Sequence, residues 1–309
     1  MPGARRSLRR GLLLGGLALA GTTLLLGLGH DSVRAPGDDR AQAADRHPVP
    51  RADQPPGDLA LAARYAPLMR FDRLEPFLPS FAGYTIFRQD APSPSFPRRV
   101  TLRPAFPLIA EDDARAIARL FPDGTLPEVP DLTAALVVEY AIWWDWDIQH
   151  LYELEHVWSY VGADGRLLYA EASWHGSYFP MLWQGQTPRQ GDHPVVYSTP
   201  GKHAFVPDPY LLTGTVMERE NLRRTCYFRA GTGGLLYKED LFRGKYETGS
   251  IRDALANGYL KERAFDPSFE FSRAVQLDEA MLVPWPALYE WIPRRIDRVL
   301  NDLGEWRLR

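Results

Sequence analysis

The sequence is poor in cysteine and has no excess of charge of either sign. Its one cysteine among 309 residues, Cys226, excludes an intramolecular disulfide. Lys and Arg number 36 against 39 Asp and Glu, which gives a net charge of −3. Nucleic-acid-binding domains usually carry a concentrated basic surface, so this balance predicts that the protein has no nucleic-acid partner.

Short motifs of several enzyme classes are also absent. The chain contains no His-Glu-x-x-His, no Cys-x-x-Cys and no Gly-x-Ser-x-Gly. The glycine-rich segment 231–234 lacks the Lys-Ser/Thr that would follow in a phosphate-binding loop. The common zinc-peptidase, nucleotide-binding and serine-hydrolase mechanisms therefore have no support in the sequence.

The N-terminus has the anatomy of an export signal. Four arginines, the last of them Arg10, precede an uncharged apolar run from Gly11 to Gly29. The segment 41–43, Ala-Gln-Ala, has the small-x-small form that a signal peptidase cuts, while a run of this length can also just span a bilayer. We predict an exported protein, periplasmic or extracellular, with the signal either cleaved or retained as an anchor at residues 11–29.

Three regions are predicted along the chain. Residues 1–29 form the signal or anchor, and residues 30–58, rich in Asp, Arg, Ala and Pro, form a disordered linker. Residues 59–309 form a single globular domain with strand-like segments in its middle and helices before and after them. This order predicts an α+β fold, a mainly antiparallel β-sandwich with flanking and C-terminal helices.

Paired carboxylates lie on one predicted strand of a hairpin. The segments 153–161 and 166–175 flank Gly162-Ala163-Asp164-Gly165, a strong turn signal. Strand alternation puts Glu153 and Glu155 on the face opposite Leu154 and His156. If the loop has three residues, Glu153 lies opposite His175; a loop of even length would put Trp174 or Gly176 there instead.

These carboxylates indicate either a solvated face or a cation site. Two like charges on one face repel each other unless water screens them or a cation binds them. Five of the seven histidines lie between His150 and His203, close to the same carboxylates in the sequence. Both interpretations are open on the residues alone.

The central motifs resemble a known family. Residues 147–157 keep the spacing His-x-x-acid-x-Glu-His in His150-Leu-Tyr-Glu153-Leu-Glu155-His156. This resembles the Gly-His-Arg-His-Asp-Trp-Glu signature of the necrosis-inducing, or necrosis-and-ethylene-inducing-like, proteins. Ser173-Trp174-His175-Gly176 is similar to that family's later Ser-x-His-Gly segment, and Gly201-Lys202-His203-Ala204 resembles a segment of the related vacuolar-sorting-type proteins. The resemblance covers residues 136–205.

The resemblance implies a β-sandwich with a divalent cation in an acidic pocket that recognises sphingolipid headgroups. By motif position it implies the metal ligands Asp147, His150, Glu153, Glu155 and His175. Asp145, His156 and His203 are second-tier candidates. The carboxylate-rich set favours Ca²⁺ or Mg²⁺, with Zn²⁺ as the alternative.

Three functional hypotheses follow. The first is a cation-dependent binding or effector protein whose ligand is a glycan or a membrane lipid headgroup. The second is a metal-dependent hydrolase of the cell envelope, in which His150, His175 and one glutamate hold Zn²⁺ and the other glutamate is the general base. The third is a structural envelope domain without a site.

Overall fold

A computed structural model of the chain describes residues 55, 57–105, 111–235, 242 and 244–306. The predicted signal and almost all of the predicted linker lie outside these residues, so both remain predictions. The first helix begins at Asp58, beside the predicted start of the globular domain. Within the part of the chain that the structure describes, no helix is both long enough and apolar enough to cross a membrane.

The described residues form thirteen strands and six α-helices. The strands are β1 Leu68–Phe71, β2 Phe81–Phe87, β3 Ala91–Pro92, β4 Arg99–Val100, β5 Leu136–Trp146, β6 Leu151–Val161, β7 Leu167–Trp174, β8 Ser177–Pro180, β9 Arg189–Gln190, β10 His193–Ser198, β11 Phe205–Val206, β12 Arg273–Gln276 and β13 Leu282–Pro284. The helices are α1 Asp58–Tyr65, α2 Glu111–Ala118, α3 Tyr210–Thr213, α4 Val216–Arg223, which continues into a π-helical turn Arg224–Phe228, α5 Ser250–Lys261 and α6 Trp285–Trp306.

Two main sheets form the domain. The larger has the order β13-β2-β5-β6-β7-β8, and the smaller has the order β11-β10-β1-β12 with β9 beside β10. Strands β3 and β4 pair separately. Pairing is antiparallel except between β1 and β10 and between β2 and β13.

The main core contains side chains from both sheets. Trp144 of β5 contacts Phe71 of β1 and Phe205 of β11, with ring centroids 6.4 and 6.2 Å apart. The Ser159 hydroxyl of β6 donates to the Tyr65 carbonyl at the end of α1. The predicted α+β, sandwich-like fold is confirmed.

The C-terminal helix α6 covers the edge of the larger sheet. The apolar stripe of this helix, Ile296, Val299, Leu300 and Leu303, is buried, and Trp291 packs on Phe81 with ring centroids 5.2 Å apart. Gly304 does not end the helix, which continues to Trp306. A helical glycine costs about 1 kcal/mol relative to alanine, but that cost alone does not stop a packed helix.

The β6–β7 hairpin has the predicted turn but not the predicted register. The Gly162 N–H donates to the Arg166 carbonyl at 2.9 Å, and Gly165 has a positive φ of 73°. The register then shifts by one residue, since Val161 pairs with Leu167 whereas Tyr160 pairs with Tyr169. Leu168 is the additional residue of this bulge, which sequence alternation does not reveal.

A second core on the other face of the larger sheet contains buried charges. The Arg98 guanidinium lies over the Trp158 and Tyr178 rings, and its Nη1 is 2.8 Å from Glu171 Oε2. Glu139 Oε1 accepts hydrogen bonds from Trp158 Nε1 at 3.0 Å and from the Ser93 hydroxyl at 2.6 Å. Burial raises the pKa of Glu139 to about 7, although both hydrogen bonds act in the opposite direction.

Glu139 should make stability depend on pH. Its pKa is raised from 4.5 to about 7, so the folded protein keeps a proton that the unfolded chain has already lost between these pH values. The free energy of unfolding should therefore fall by about 3 kcal/mol from pH 4.5 to 7 because of this group. Urea unfolding across this range should show the fall in the wild type and a flatter profile in Glu139→Gln. An identical slope in both proteins would contradict the assignment.

Candidate metal centre

A tight turn between β5 and β6 brings two candidate ligands together. The Asp147 N–H donates to the His150 carbonyl at 3.0 Å, and the Gln149 N–H donates to Asp147 Oδ1 at 2.6 Å. In turns, an aspartate side chain commonly accepts a hydrogen bond from the backbone N–H two residues later in the chain. The turn therefore brings together the side chains of Asp147 and His150, which are three residues apart in the sequence.

The glycine-rich segment 231–234 supports this turn. The Gly233 and Gly234 N–H groups donate to the Gln149 carbonyl at 2.7 and 3.1 Å, and the Leu151 N–H donates to the Gly234 carbonyl at 2.8 Å. Asp253 Oδ1 in turn accepts from the Leu235 N–H at 2.7 Å. The sequence excluded a phosphate loop here but did not indicate this supporting role.

Gly233→Ala should disturb the turn. A Cβ at Gly233 would lie 2.8 Å from the Gln149 carbonyl oxygen and 3.0 Å from His150 Cβ. We expect a loss of stability of about 1–3 kcal/mol, as for other substitutions that overpack a site. Chemical denaturation measures it, with Gly258→Ala as control: a Cβ there meets nothing within 4 Å, so this change inside α5 should leave stability unchanged or raise it by up to about 1 kcal/mol. Equal stability of Gly233→Ala and the wild type would show that the segment adapts freely.

An unusual backbone angle at Tyr152 places the third candidate ligand, Glu153, on the same side as His150. On a regular strand His150 and Glu153, three residues apart, would face opposite ways. Tyr152 between them has a φ of 41°, in the left-handed region that aromatic residues rarely adopt. The regular alternation is thereby interrupted, and a backbone outlier of this kind motivates a functional hypothesis for the site.

Asp147, His150 and Glu153 form a compact group that could hold a metal ion. Each offers one ligand atom, and these atoms all lie within 4.8 Å of one another. His150 Nε2 is 3.5 Å from Asp147 Oδ1 and 3.8 Å from Glu153 Oε2. The exposed fractions of the three residues are 0, 3 and 7%, so the group is buried with Glu153 nearest to solvent.

The histidine is oriented as a ligand. His150 Nδ1 lies 3.1 Å from both the Leu151 and the Tyr152 carbonyl oxygens. Only an N–H can bond to carbonyl oxygens, so Nδ1 carries a proton, and Nε2 is the ring nitrogen that faces the carboxylates. A backbone carbonyl that fixes the ring in this way is a common outer partner of metal-binding histidines.

Lys202 enters the same group from the turn after β10. Its ammonium group donates to Asp147 Oδ2 and lies 3.3 Å from His150 Nε2. Burial alone would raise the pKa of Asp147, but the neighbours His150 and Lys202 outweigh it and lower the pKa to about 2. Sequence reasoning missed Lys202 as a site residue, although it lies inside the Gly201-Lys202-His203-Ala204 motif.

Glu155 and His175 lie outside the group of three. Glu155 is buried and accepts a hydrogen bond from the Ser173 hydroxyl, which also accepts from the His156 N–H at 2.6 Å. His175 is exposed in the turn between β7 and β8, with a φ of 47°. The bulge at Leu168 explains its position, because beyond the bulge Val157 pairs with Ala172 rather than with Glu171 and β7 ends at Trp174.

The second-tier candidates have other contacts. Asp145 accepts from Trp143 Nε1 and forms a two-bond pair with Arg295 of α6 at 3.0 and 2.7 Å. His156 lies in the second core, where burial lowers its pKa to about 3. His203 stacks on Trp144 with ring centroids 4.7 Å apart and is not a member of the group of Asp147, His150 and Glu153.

Comparison with known proteins identifies no relative of this chain. No family model matches the chain, and neither a curated protein nor a solved structure matches it. Membership of the necrosis-inducing family thus stays a prediction from the sequence motifs, and the buried group of Asp147, His150 and Glu153 is the functional feature that the structure itself supplies.

Proposed function

We propose that this is an exported, divalent-cation-dependent binding protein whose ion is held by Asp147, His150 and Glu153. The observation that carries the proposal is His150, whose ring is held by two backbone carbonyls and whose Nε2 lies 3.5 and 3.8 Å from the buried carboxylates of Asp147 and Glu153. Two carboxylates in a buried site of low dielectric constant repel each other strongly, and the two positive charges of a divalent ion balance their two negative charges.

The donor set narrows the choice of ion. With Glu155 and His175 outside the group, the oxygen-rich set that favoured Ca²⁺ or Mg²⁺ becomes one imidazole nitrogen and two carboxylates. Imidazole suits Zn²⁺ and carboxylate suits Mn²⁺, Mg²⁺ and Ca²⁺, so we expect Mn²⁺ and Zn²⁺ to bind more tightly than Mg²⁺ and Ca²⁺. The hydrolase hypothesis loses one of its ligands, because it required His175 beside His150.

Three protein ligands leave coordination positions for oxygens of a bound molecule. Glycan hydroxyls and the phosphate or sugar oxygens of lipid headgroups are ligands of this kind. Glu153, the most exposed member of the group, marks the side from which such a molecule would approach. The ion would then join protein and ligand, and removing the ion would remove the binding.

The experiment is a binding assay on immobilised glycans and on vesicles that carry glycolipid headgroups, with Mn²⁺, Zn²⁺ or Ca²⁺ and with chelator. We expect binding that chelator abolishes, that the ion restores, and that Glu153→Gln lacks. Glu139→Gln is the matched control, since it makes the same change at a buried glutamate of the second core, where the side chain bonds to Trp158 and Ser93. Binding that persists in chelator would contradict the proposal.

A further inference from the structure

Lys202 places a positive charge within the proposed ion site. Its ammonium group bonds to Asp147 Oδ2 and lies 3.3 Å from His150 Nε2, and both of these residues supply ligand atoms to the ion. A divalent ion about 2 Å from His150 Nε2 would lie no more than about 5 Å from this ammonium, where like charges repel by several kcal/mol at the protein's effective dielectric. Ion and ammonium therefore compete for the same residues.

We infer that Lys202 is the residue that determines cation specificity at this site: its ammonium group takes the ion's place in the ion-free protein, and only a divalent ion displaces it. This inference rests on the proposed function. It adds the requirement that the lysine side chain leaves Asp147 when the ion binds.

The backbone around Lys202 is fixed, so its side chain must make the movement. In the turn from Thr199 to Ala204, the Lys202 and His203 N–H groups donate to the Thr199 carbonyl at 3.1 and 2.9 Å. The Gly201 N–H donates to Glu75 Oε2 at 2.7 Å, and the Gly201 carbonyl accepts from the Ile148 N–H at 2.9 Å. The same turn thus packs directly on the Asp147–His150 turn.

The lysine stem allows that movement. Its four methylene groups rotate freely, and such side chains commonly keep their charged end in water while the stem covers apolar surface. The Lys202 side chain is 8% exposed, so part of it is already in contact with solvent. Displacement needs rotation of side-chain bonds but no unfolding of the turn.

Whether an ion can displace the ammonium group of Lys202 should depend on the charge of that ion. A monovalent ion brings no more charge than the ammonium it would replace, and the tether gives the ammonium a high effective concentration. A divalent ion brings twice the charge and gains His150 Nε2 as a ligand. The site should therefore not bind Na⁺ or K⁺, and it should bind divalent ions more weakly than the same site would without the lysine.

Calorimetric titration of the wild type and Lys202→Met with Mn²⁺, Zn²⁺, Ca²⁺ and K⁺ tests this inference. We expect the divalent ions to bind Lys202→Met at least about tenfold more tightly, since one like charge has been removed. K⁺ should raise the melting temperature of Lys202→Met and not that of the wild type. Equal divalent affinities in the two proteins would overturn the role of Lys202 while leaving the ion site intact, and no binding by either would overturn the proposed function itself.

A labelling experiment on the wild type avoids any folding defect of the variant. Reductive methylation followed by mass spectrometry measures how accessible each lysine is, and the exposed Lys245 and Lys261 serve as internal references. Lys202 should be protected without ion and become several-fold more reactive, relative to the references, when Mn²⁺ is added. Unchanged or lower reactivity with bound ion would show that the ammonium stays in place and would overturn the inference.

Discussion

Addition of a hundredfold excess of divalent ion over its dissociation constant should raise the melting temperature by about 5–11 °C. An ion that binds only the folded state stabilises it by about 2.7 kcal/mol at that excess, and each kcal/mol is worth roughly 2–4 °C for a domain of this size. Differential scanning calorimetry in chelator and in Mn²⁺, Zn²⁺, Mg²⁺ and Ca²⁺ measures the shift.

The same measurement on variants separates specific from general ion effects. Glu153→Gln should lose most of the shift, because it removes one of the three ligand atoms. Glu139→Gln should keep the full shift, since its carboxylate lies in the second core with Trp158 and Ser93. If the wild type melts at one temperature in chelator and in every ion, the three residues form only an internal polar cluster.

Arg98→Met should be among the most destabilising single changes outside the proposed ion site. Arg98 and Glu171 are both buried, with 4 and 0% of their side chains exposed, and Nη1 lies 2.8 Å from Oε2. Removal of one partner leaves the other charge buried without its counterion, which costs about 3–5 kcal/mol. The melting temperature should fall by roughly 6–20 °C.

A double-mutant cycle tests the cause of that loss. Arg98→Met with Glu171→Gln should lose less stability than the sum of the two single changes, because the second change removes the unpaired charge. Arg64→Met is the matched control, since its pair with Asp192 is largely exposed and should contribute little. Additive losses in the cycle would show that packing of Arg98 between Trp158 and Tyr178, and not its charge, is the main contribution.

Local patterns predicted much of the fold. The turn at Gly162–Gly165 and the apolar stripe of the terminal helix follow from glycine geometry and helical periodicity, and both are present. Ser250 and Asp253 have the sequence spacing of a capping box, but no such box forms, because the α5 N-cap is Gly249 and Asp253 bonds to the distant Leu235 N–H. A long-range partner of this kind has no local sequence signal.

The candidate site was predictable only in part. Asp147, His150 and Glu153 could be named because the motif that resembles the necrosis-inducing family includes all three within residues 147–153. His175 could not be excluded, since one bulge residue, Leu168, changes the register of every later pair. Lys202 could not be assigned, because its contact with Asp147 depends on how two turns 55 residues apart pack together.

The coordination of bound Mn²⁺ tests the central claim most directly. Electron spin-echo envelope modulation of the Mn²⁺-loaded protein detects nitrogen nuclei bound to the ion. We predict modulation from one imidazole nitrogen in the wild type and in Glu139→Gln, and none in His150→Gln. Bound Mn²⁺ without nitrogen modulation in the wild type, or modulation that survives in His150→Gln, would contradict an ion site built from Asp147, His150 and Glu153.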